Sequence, residues 1–122
     1  MRNFKISVLV RLTAAACISL GGLGLHAQEV DVAAAESLAK KNDCTKCHSV
    51  TNKKEGPPYK ETAMKYKDRA KYKDAATAEA ALFKHLTTSP KVKVDGKEEE
   101  HKKTKATDDA AIMNLVRYIL SR

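Results

Sequence analysis

A five-residue segment, Cys44-Thr45-Lys46-Cys47-His48, constrains this chain more than any other feature of its sequence. Two cysteines separated by two residues and followed at once by a histidine form the attachment motif of a c-type haem. Each thiol can form a thioether to one vinyl group of the porphyrin, and the histidine can then bind the iron from one side. The motif therefore predicts one covalent haem c held by Cys44 and Cys47, with His48 as the proximal iron ligand.

Two other kinds of site use closely spaced cysteines. A redox-active dithiol has the same spacing, but it follows a β-strand in thioredoxin-like folds, and a helical pattern precedes Cys44 here. A structural zinc ion needs four protein ligands, and the remaining cysteine, Cys17, is not part of a second cysteine pair. Haem attachment is therefore favoured over both alternatives.

Residues 1–27 have the features of a secretory signal peptide. Arg2 and Lys5 give it a positive start, and a mostly apolar run follows. The uninterrupted apolar stretch, residues 12–25, is shorter than the ~20 residues that a membrane span needs, which argues against a retained anchor. We therefore expect a single mature domain, residues 28–122, that is exported to the periplasm and is not stably inserted in the membrane.

The predicted cleavage would remove Cys17 and leave both motif cysteines for the haem. In an alternative interpretation Cys17 is lipid-modified, but the three alanines at residues 14–16 make a poor lipobox. Removal of 27 of the 122 residues leaves 95, without any tryptophan. Such a domain is small for a self-sufficient core. A covalently held porphyrin would supply the missing apolar centre.

The chain carries an excess of positive charge. Its 23 Lys and Arg residues and 15 Asp and Glu residues give a formal net charge of +8. Loss of Arg2, Lys5 and Arg11 with the signal peptide lowers this charge to +5. The excess predicts protein redox partners with an acidic docking surface, or an anionic surface. Export and the lack of a nucleic-acid-binding motif argue against nucleic acid as a partner.

Helical spacing of apolar residues predicts an all-α fold with about four helices around the haem. The expected helices cover residues 31–42 with Asp31 as the N-cap, a short segment from about residue 58, residues 77–88 with Thr77 as the N-cap, and a terminal segment with Thr107 as the N-cap. Ile112, Leu115, Val116 and Ile119 form the strongest apolar stripe. Residues 90–106 show no clear period, so they are expected to form a loop rather than a strand.

Two histidines outside the haem motif have ordinary interpretations when they are considered alone. His85 borders the apolar face of the third predicted helix, where a partly exposed helical histidine is expected. His101 lies in a run of charged residues, 97–103, that resembles a solvated surface segment.

The chain resembles class I cytochromes c of the small bacterial c-551/c-552 type over nearly all of residues 31–121. The haem motif, Gly56-Pro57-Pro58-Tyr59, Leu82 with Leu86, and the segment 107–120 carry this resemblance. It implies the cytochrome c fold, in which the first and last helices cross with an aromatic residue near position 118 in their contact. It also implies that Pro57 and Tyr59 line the haem pocket, and that the carbonyl of Pro57 accepts the Nδ1–H of His48.

The sequence departs from this family at the second axial ligand of the iron. The family places a Met-Pro-Pro segment six residues before the cap of the last helix, and counting back six from Thr107 reaches His101. Three interpretations follow: His101 binds the iron, or the iron is open to nitric oxide, carbon monoxide or peroxide, or Met64 or Met113 is the ligand. We favour the first, which makes the protein a low-potential bis-His electron carrier without catalytic residues.

Overall fold

The computed structural model describes residues 28–122, and the predicted signal peptide, residues 1–27, lies outside the described residues. The helices are α1 Val32–Lys41, α2 Cys44–Cys47, α3 Tyr59–Tyr66, α4 Ala75–Thr87 and α5 Asp109–Leu120, and the strands are β1 Lys91–Val94 and β2 Lys97–Glu100. No helix in this part of the chain is long and apolar enough to cross a membrane.

Aspartate side chains start three of the helices. Asp31 caps α1 as expected, but α4 begins after Asp74 and α5 after Asp108. The predicted caps Thr77 and Thr107 are therefore wrong. Asp74 accepts hydrogen bonds from both the backbone N–H and the hydroxyl of Thr77, each at 2.7 Å, so Thr77 lies inside the first turn. A carboxylate both satisfies free N–H groups and complements the positive end of the helix dipole.

The segment expected to be a loop, residues 90–106, contains an antiparallel β-hairpin, so the prediction of no strand is wrong. Its turn is formed by Asp95 and Gly96, which both have positive φ angles, of 48° and 81°. An Asp-Gly pair is a strong signal for a two-residue hairpin turn. All four residues of β2 are exposed, so no apolar alternation marked it as a strand.

The terminal helix α5 lies at the centre of the packing and contacts α1, α3 and α4. Its predicted stripe is buried, namely Ile112, Leu115, Val116 and Ile119. Tyr118 is 2% exposed, and its hydroxyl donates to a carboxylate oxygen of Glu36 in α1 at 3.0 Å. The expected contact of the first and last helices around an aromatic residue is therefore confirmed. This packing around α5 leaves a cavity between the haem motif, α3, α4 and the hairpin.

Candidate haem site

A cavity of about 760 Å³ lies between the haem motif, α3, α4, α5 and the hairpin. This volume is in the range of pockets that take a small-molecule cofactor. Its apolar walls come from Tyr59, Tyr66, Leu82, Leu86, Val92, Val94, Leu115 and Ile119. The hairpin thus has a clear role, because the valines of β1 close one wall of the cavity.

Both motif cysteines line this cavity and carry free thiols. Cys44 and Cys47 are the first and last residues of the one-turn helix α2, and residues three apart share one helix face. Burial raises the pKa of Cys44, and a hydrogen bond with Glu55 at 3.2 Å raises the pKa of Cys47. A reactive dithiol needs a lowered thiol pKa, so the local environment disfavours that alternative.

The orientation of His48 is fixed by its neighbours in the loop before α3. Nδ1 of His48 lies 2.7 Å from the carbonyl oxygen of Pro57, the contact that the family resemblance implies. Because Nδ1 donates to that carbonyl, Nε2 is the nitrogen left free to bind a metal. A Cβ atom at Gly56 would lie 2.7 Å from Nδ1 and 2.9 Å from Nε2 of His48, so only glycine leaves room for the ring.

His101 follows the hairpin, and its ring faces the cavity that also contains His48. The centroids of the two imidazole rings are 6.0 Å apart and their planes are inclined by 44°. One metal ion bound to two imidazole nitrogens at about 2 Å each would place the ring centroids about 6 Å apart. Burial, and secondarily the charge of His48, lowers the pKa of His101, which favours the neutral ring that a metal ligand requires.

Two buried polar atoms at this site have no hydrogen-bond partner among the described residues. They are Nδ1 of His101 and the hydroxyl oxygen of Tyr59. The ring of Tyr59 also stacks near that of His48, with centroids 6.0 Å apart and planes inclined by 21°. Burial raises the pKa of Tyr59, so its hydroxyl stays a neutral donor. The cavity, the paired thiols and the facing imidazoles together fit a c-type haem.

His85 is a site residue that the sequence did not reveal. It was expected to be partly exposed, and it is half-buried and lines the cavity. Its ring meets that of His101 edge to face, with centroids 4.6 Å apart. Burial, followed by the influence of His101, lowers the pKa of His85 to about 4. In the sequence, the position of His85 three residues after Leu82, next to the apolar face of α4, is the signal that could have indicated a site residue.

Asn42 is the second residue that the sequence did not reveal. It is 9% exposed, and its Oδ1 accepts from the backbone N–H of Lys105 at 2.6 Å and from the hydroxyl of Thr104 at 3.1 Å. Its Nδ2 donates to the carbonyl oxygen of Leu38 at 2.9 Å. Asn42 thus joins the end of α1 to the chain that follows His101. Its partners are 62 and 63 residues away, so no local pattern indicates them.

Residues 28–122 contain two methionines, and neither lines the cavity. The side chain of Met64 is 64% exposed. Met113 packs against the helical core. These positions give no support to a methionine as the second axial ligand.

Residues 32–122 match the cytochrome c family. Cytochrome c-552 from Nitrosomonas europaea is 49% identical over 47 residues, which cover 38% of this chain and 43% of that protein, less than half of its length. The crystal structure of Class 1 cytochrome MtoD from Sideroxydans lithotrophicus ES-1 matches with a TM-score of 0.66 and 47% identity, covering 76% of this chain and 97% of that chain.

Proposed function

Because this chain belongs to the cytochrome c family and carries a covalent haem c, we propose that it transfers single electrons between redox proteins through an iron held by His48 and His101. The observation that carries the proposal is the 6.0 Å separation of the two ring centroids across the cavity. Haem supplies a one-electron iron couple when it is bound. Two protein ligands leave no position for a substrate, so we propose an electron carrier rather than an enzyme.

The site residues have separate roles in this proposal. The sulfur atoms of Cys44 and Cys47 hold the porphyrin, and Nε2 of His48 binds the iron on the proximal side. The carbonyl of Pro57 keeps the ring of His48 oriented, and Tyr59 covers the porphyrin from α3. A second imidazole donates more strongly to ferric iron than a methionine thioether does, so the reduction potential is expected to be low within the ~0.8 V range that axial ligands span.

The open-iron alternative is supported by one observation. The Nδ1 of His101 has no hydrogen-bond partner among the described residues. Metal-bound histidines usually donate this second N–H to an acceptor, which raises their ligand strength. Without such a partner His101 is a weaker ligand, and its dissociation would expose the iron to carbon monoxide, nitric oxide or peroxide. The neighbouring carboxylates Glu99 and Glu100 form no hydrogen bond with this ring.

The predicted export and docking belong to the same proposal. Residues 1–27 would direct the chain to the periplasm and then be removed. Lys46 and Lys102 line the rim of the cavity, are each 72% exposed, and share the carboxylate of Asp43 at 2.9 and 3.6 Å. Such exposed pairs contribute only about 0–1 kcal/mol, so these lysines are free to face an acidic partner. Lys53, Lys54 and Lys103 complete the proposed docking surface.

A set of histidine substitutions tests the ligand assignment. His101→Ala should convert the iron from low spin to high spin and allow rapid carbon monoxide binding after reduction. His101→Met should restore low spin at a higher potential. The matched control is His85→Ala, which removes a neighbouring half-buried imidazole and should keep the low-spin spectrum. If His101→Ala leaves the spectrum and potential unchanged, His101 is not an iron ligand.

A further inference from the structure

We propose that Asn42 is a positioning residue that keeps His101 on the iron. It would do so by fixing the segment 101–105, called the distal segment here, to the end of α1. This inference rests on the proposed role of His101 as the distal ligand. Asn42 is the C-cap residue of α1, and holding the distal segment would be a second function for it.

The side chain of Asn42 forms three hydrogen bonds that join the end of α1 to the distal segment, called the Asn42 bridge here. Its Nδ2 donates to Leu38, and its Oδ1 accepts both from the hydroxyl of Thr104 at 3.1 Å and from the backbone N–H of Lys105 at 2.6 Å. The backbone N–H of Asn42 is also bonded within α1, so the side chain starts from a fixed point. In residues 28–122 it is the one buried polar residue. A buried amide that both donates and accepts hydrogen bonds holds its neighbours in one geometry.

The Asn42 bridge closes one end of the distal segment. At the other end the backbone N–H of His101 donates to the carbonyl oxygen of Pro90 at 2.8 Å. The N–H of Thr104 also donates to the carbonyl oxygen of Leu86 at 2.8 Å. Between these anchors Lys102 and Lys103 are exposed. The segment that carries the proposed ligand is therefore held by its backbone at two ends.

The ring of His101 has no hydrogen-bonded anchor of its own. Its Nδ1 has no partner among the described residues, whereas Nδ1 of His48 is fixed by Pro57. The edge-to-face contact with His85 restricts the rotation of the His101 ring, but it does not direct a nitrogen toward the metal. The position of His101 must therefore come from the backbone on either side of it. Loss of the Asn42 bridge should let the distal segment move away from the end of α1. His101 would then dissociate from the iron more often.

A purely structural role for Asn42 makes a different prediction, and Asn114 provides the matched control. Asn114 in α5 also forms two hydrogen bonds to backbone, accepting from the N–H of Asp31 at 2.9 Å and donating to its carbonyl oxygen at 2.8 Å. It does not line the cavity. Asn114→Leu should therefore lower stability without changing the behaviour of the iron.

The test measures the rate of carbon monoxide binding to the reduced holoprotein, because this rate depends on how often His101 leaves the iron. Asn42→Leu should raise the rate by about tenfold or more, since two hydrogen bonds to the distal segment are lost. Asn114→Leu should leave it unchanged. Thr104→Val removes one of the two bonds from Asn42, together with the bond that the Thr104 hydroxyl accepts from the N–H of Ala106 at 3.1 Å, and keeps the bond between Asn42 and the N–H of Lys105, so it should raise the rate less.

Equal rates in Asn42→Leu and Asn114→Leu would overturn the proposal. If Asn42→Leu does not yield folded holoprotein, the Thr104→Val variant is the test. An unchanged rate of carbon monoxide binding in Thr104→Val would also overturn the proposal. Failure of the ligand assignment is distinguishable, because wild type would then bind carbon monoxide as fast as His101→Ala. If carbon monoxide binds slowly to the wild type and to Asn42→Leu but rapidly to His101→Ala, His101 is the ligand and only the proposed role of Asn42 is refuted.

Discussion

Substitution of Gly56 by alanine should displace the ring of His48, the proposed proximal ligand of the iron. The added Cβ would lie 2.7 Å from Nδ1 and 2.9 Å from Nε2 of His48, closer than non-bonded atoms approach. The ring cannot move away without losing its hydrogen bond to the carbonyl of Pro57, which is 2.7 Å long. The steric conflict should therefore displace the ring of His48, the proposed proximal ligand of the iron.

The size of the effect follows from two contributions. Overpacking by one methyl group in a rigid site typically costs about 1–3 kcal/mol. Loss of the hydrogen bond between His48 and Pro57 adds about 1 kcal/mol. We therefore expect Gly56→Ala to lower the free energy of unfolding of the holoprotein by about 2–4 kcal/mol. The reduction potential should rise, because an imidazole without its Nδ1–H acceptor is a weaker donor to ferric iron.

Denaturant unfolding and redox titration of the holoprotein measure these two effects, with Gly96→Ala as the control. Gly96 has a φ of +81°, and its Cβ would meet nothing within 4 Å. Alanine there should cost about 1 kcal/mol of backbone strain and leave the potential unchanged. If Gly56→Ala behaves like Gly96→Ala in both measurements, the ring of His48 is not confined as described.

Three further outcomes follow from the same structure. The Cys44→Ala/Cys47→Ala double variant should lose covalent haem and most of its helical circular dichroism, because the cavity would be unfilled; near-native helicity would refute this. Burial lowers the pKa of His85 from 6.5 to about 4. The unfolded chain thus binds more protons between these values, so stability should fall as pH drops from 6.5 to 4, and His85→Phe should flatten this slope. Electron transfer with the physiological partner should slow as salt rises, and a salt-independent rate would exclude steering by the lysines.

The parts of the fold that the sequence predicted are those set by short-range patterns. The cysteine spacing placed the haem motif, and the stripe Ile112, Leu115, Val116 and Ile119 correctly marked the buried face of α5. The start of α1 at Asp31 also follows from a local capping preference. The hairpin was not predicted because all four residues of β2 are charged and exposed, so the strand shows no alternation of apolar and polar residues. The pair Asp95-Gly96 did indicate a turn.

Site residues with distant partners could not be predicted in the same way. Asn42 acts through Thr104 and Lys105, and nothing near it in the sequence distinguishes it from a surface asparagine. His85 becomes part of the site only because the hairpin brings His101 against it. The close approach of Gly56 to His48 depends on the geometry of the loop before α3. These residues are defined by tertiary contact, which apolar periodicity does not encode.

An absorption spectrum of the purified holoprotein, oxidised and reduced, with and without carbon monoxide, examines the iron itself. If His48 and His101 are the axial ligands, the ferric form is low-spin and lacks the red band of thioether-to-iron ligation. The reduced form then binds carbon monoxide slowly or not at all, because both axial positions are filled. A red thioether band, or immediate formation of a carbon monoxide complex, would contradict an iron held between the two histidines.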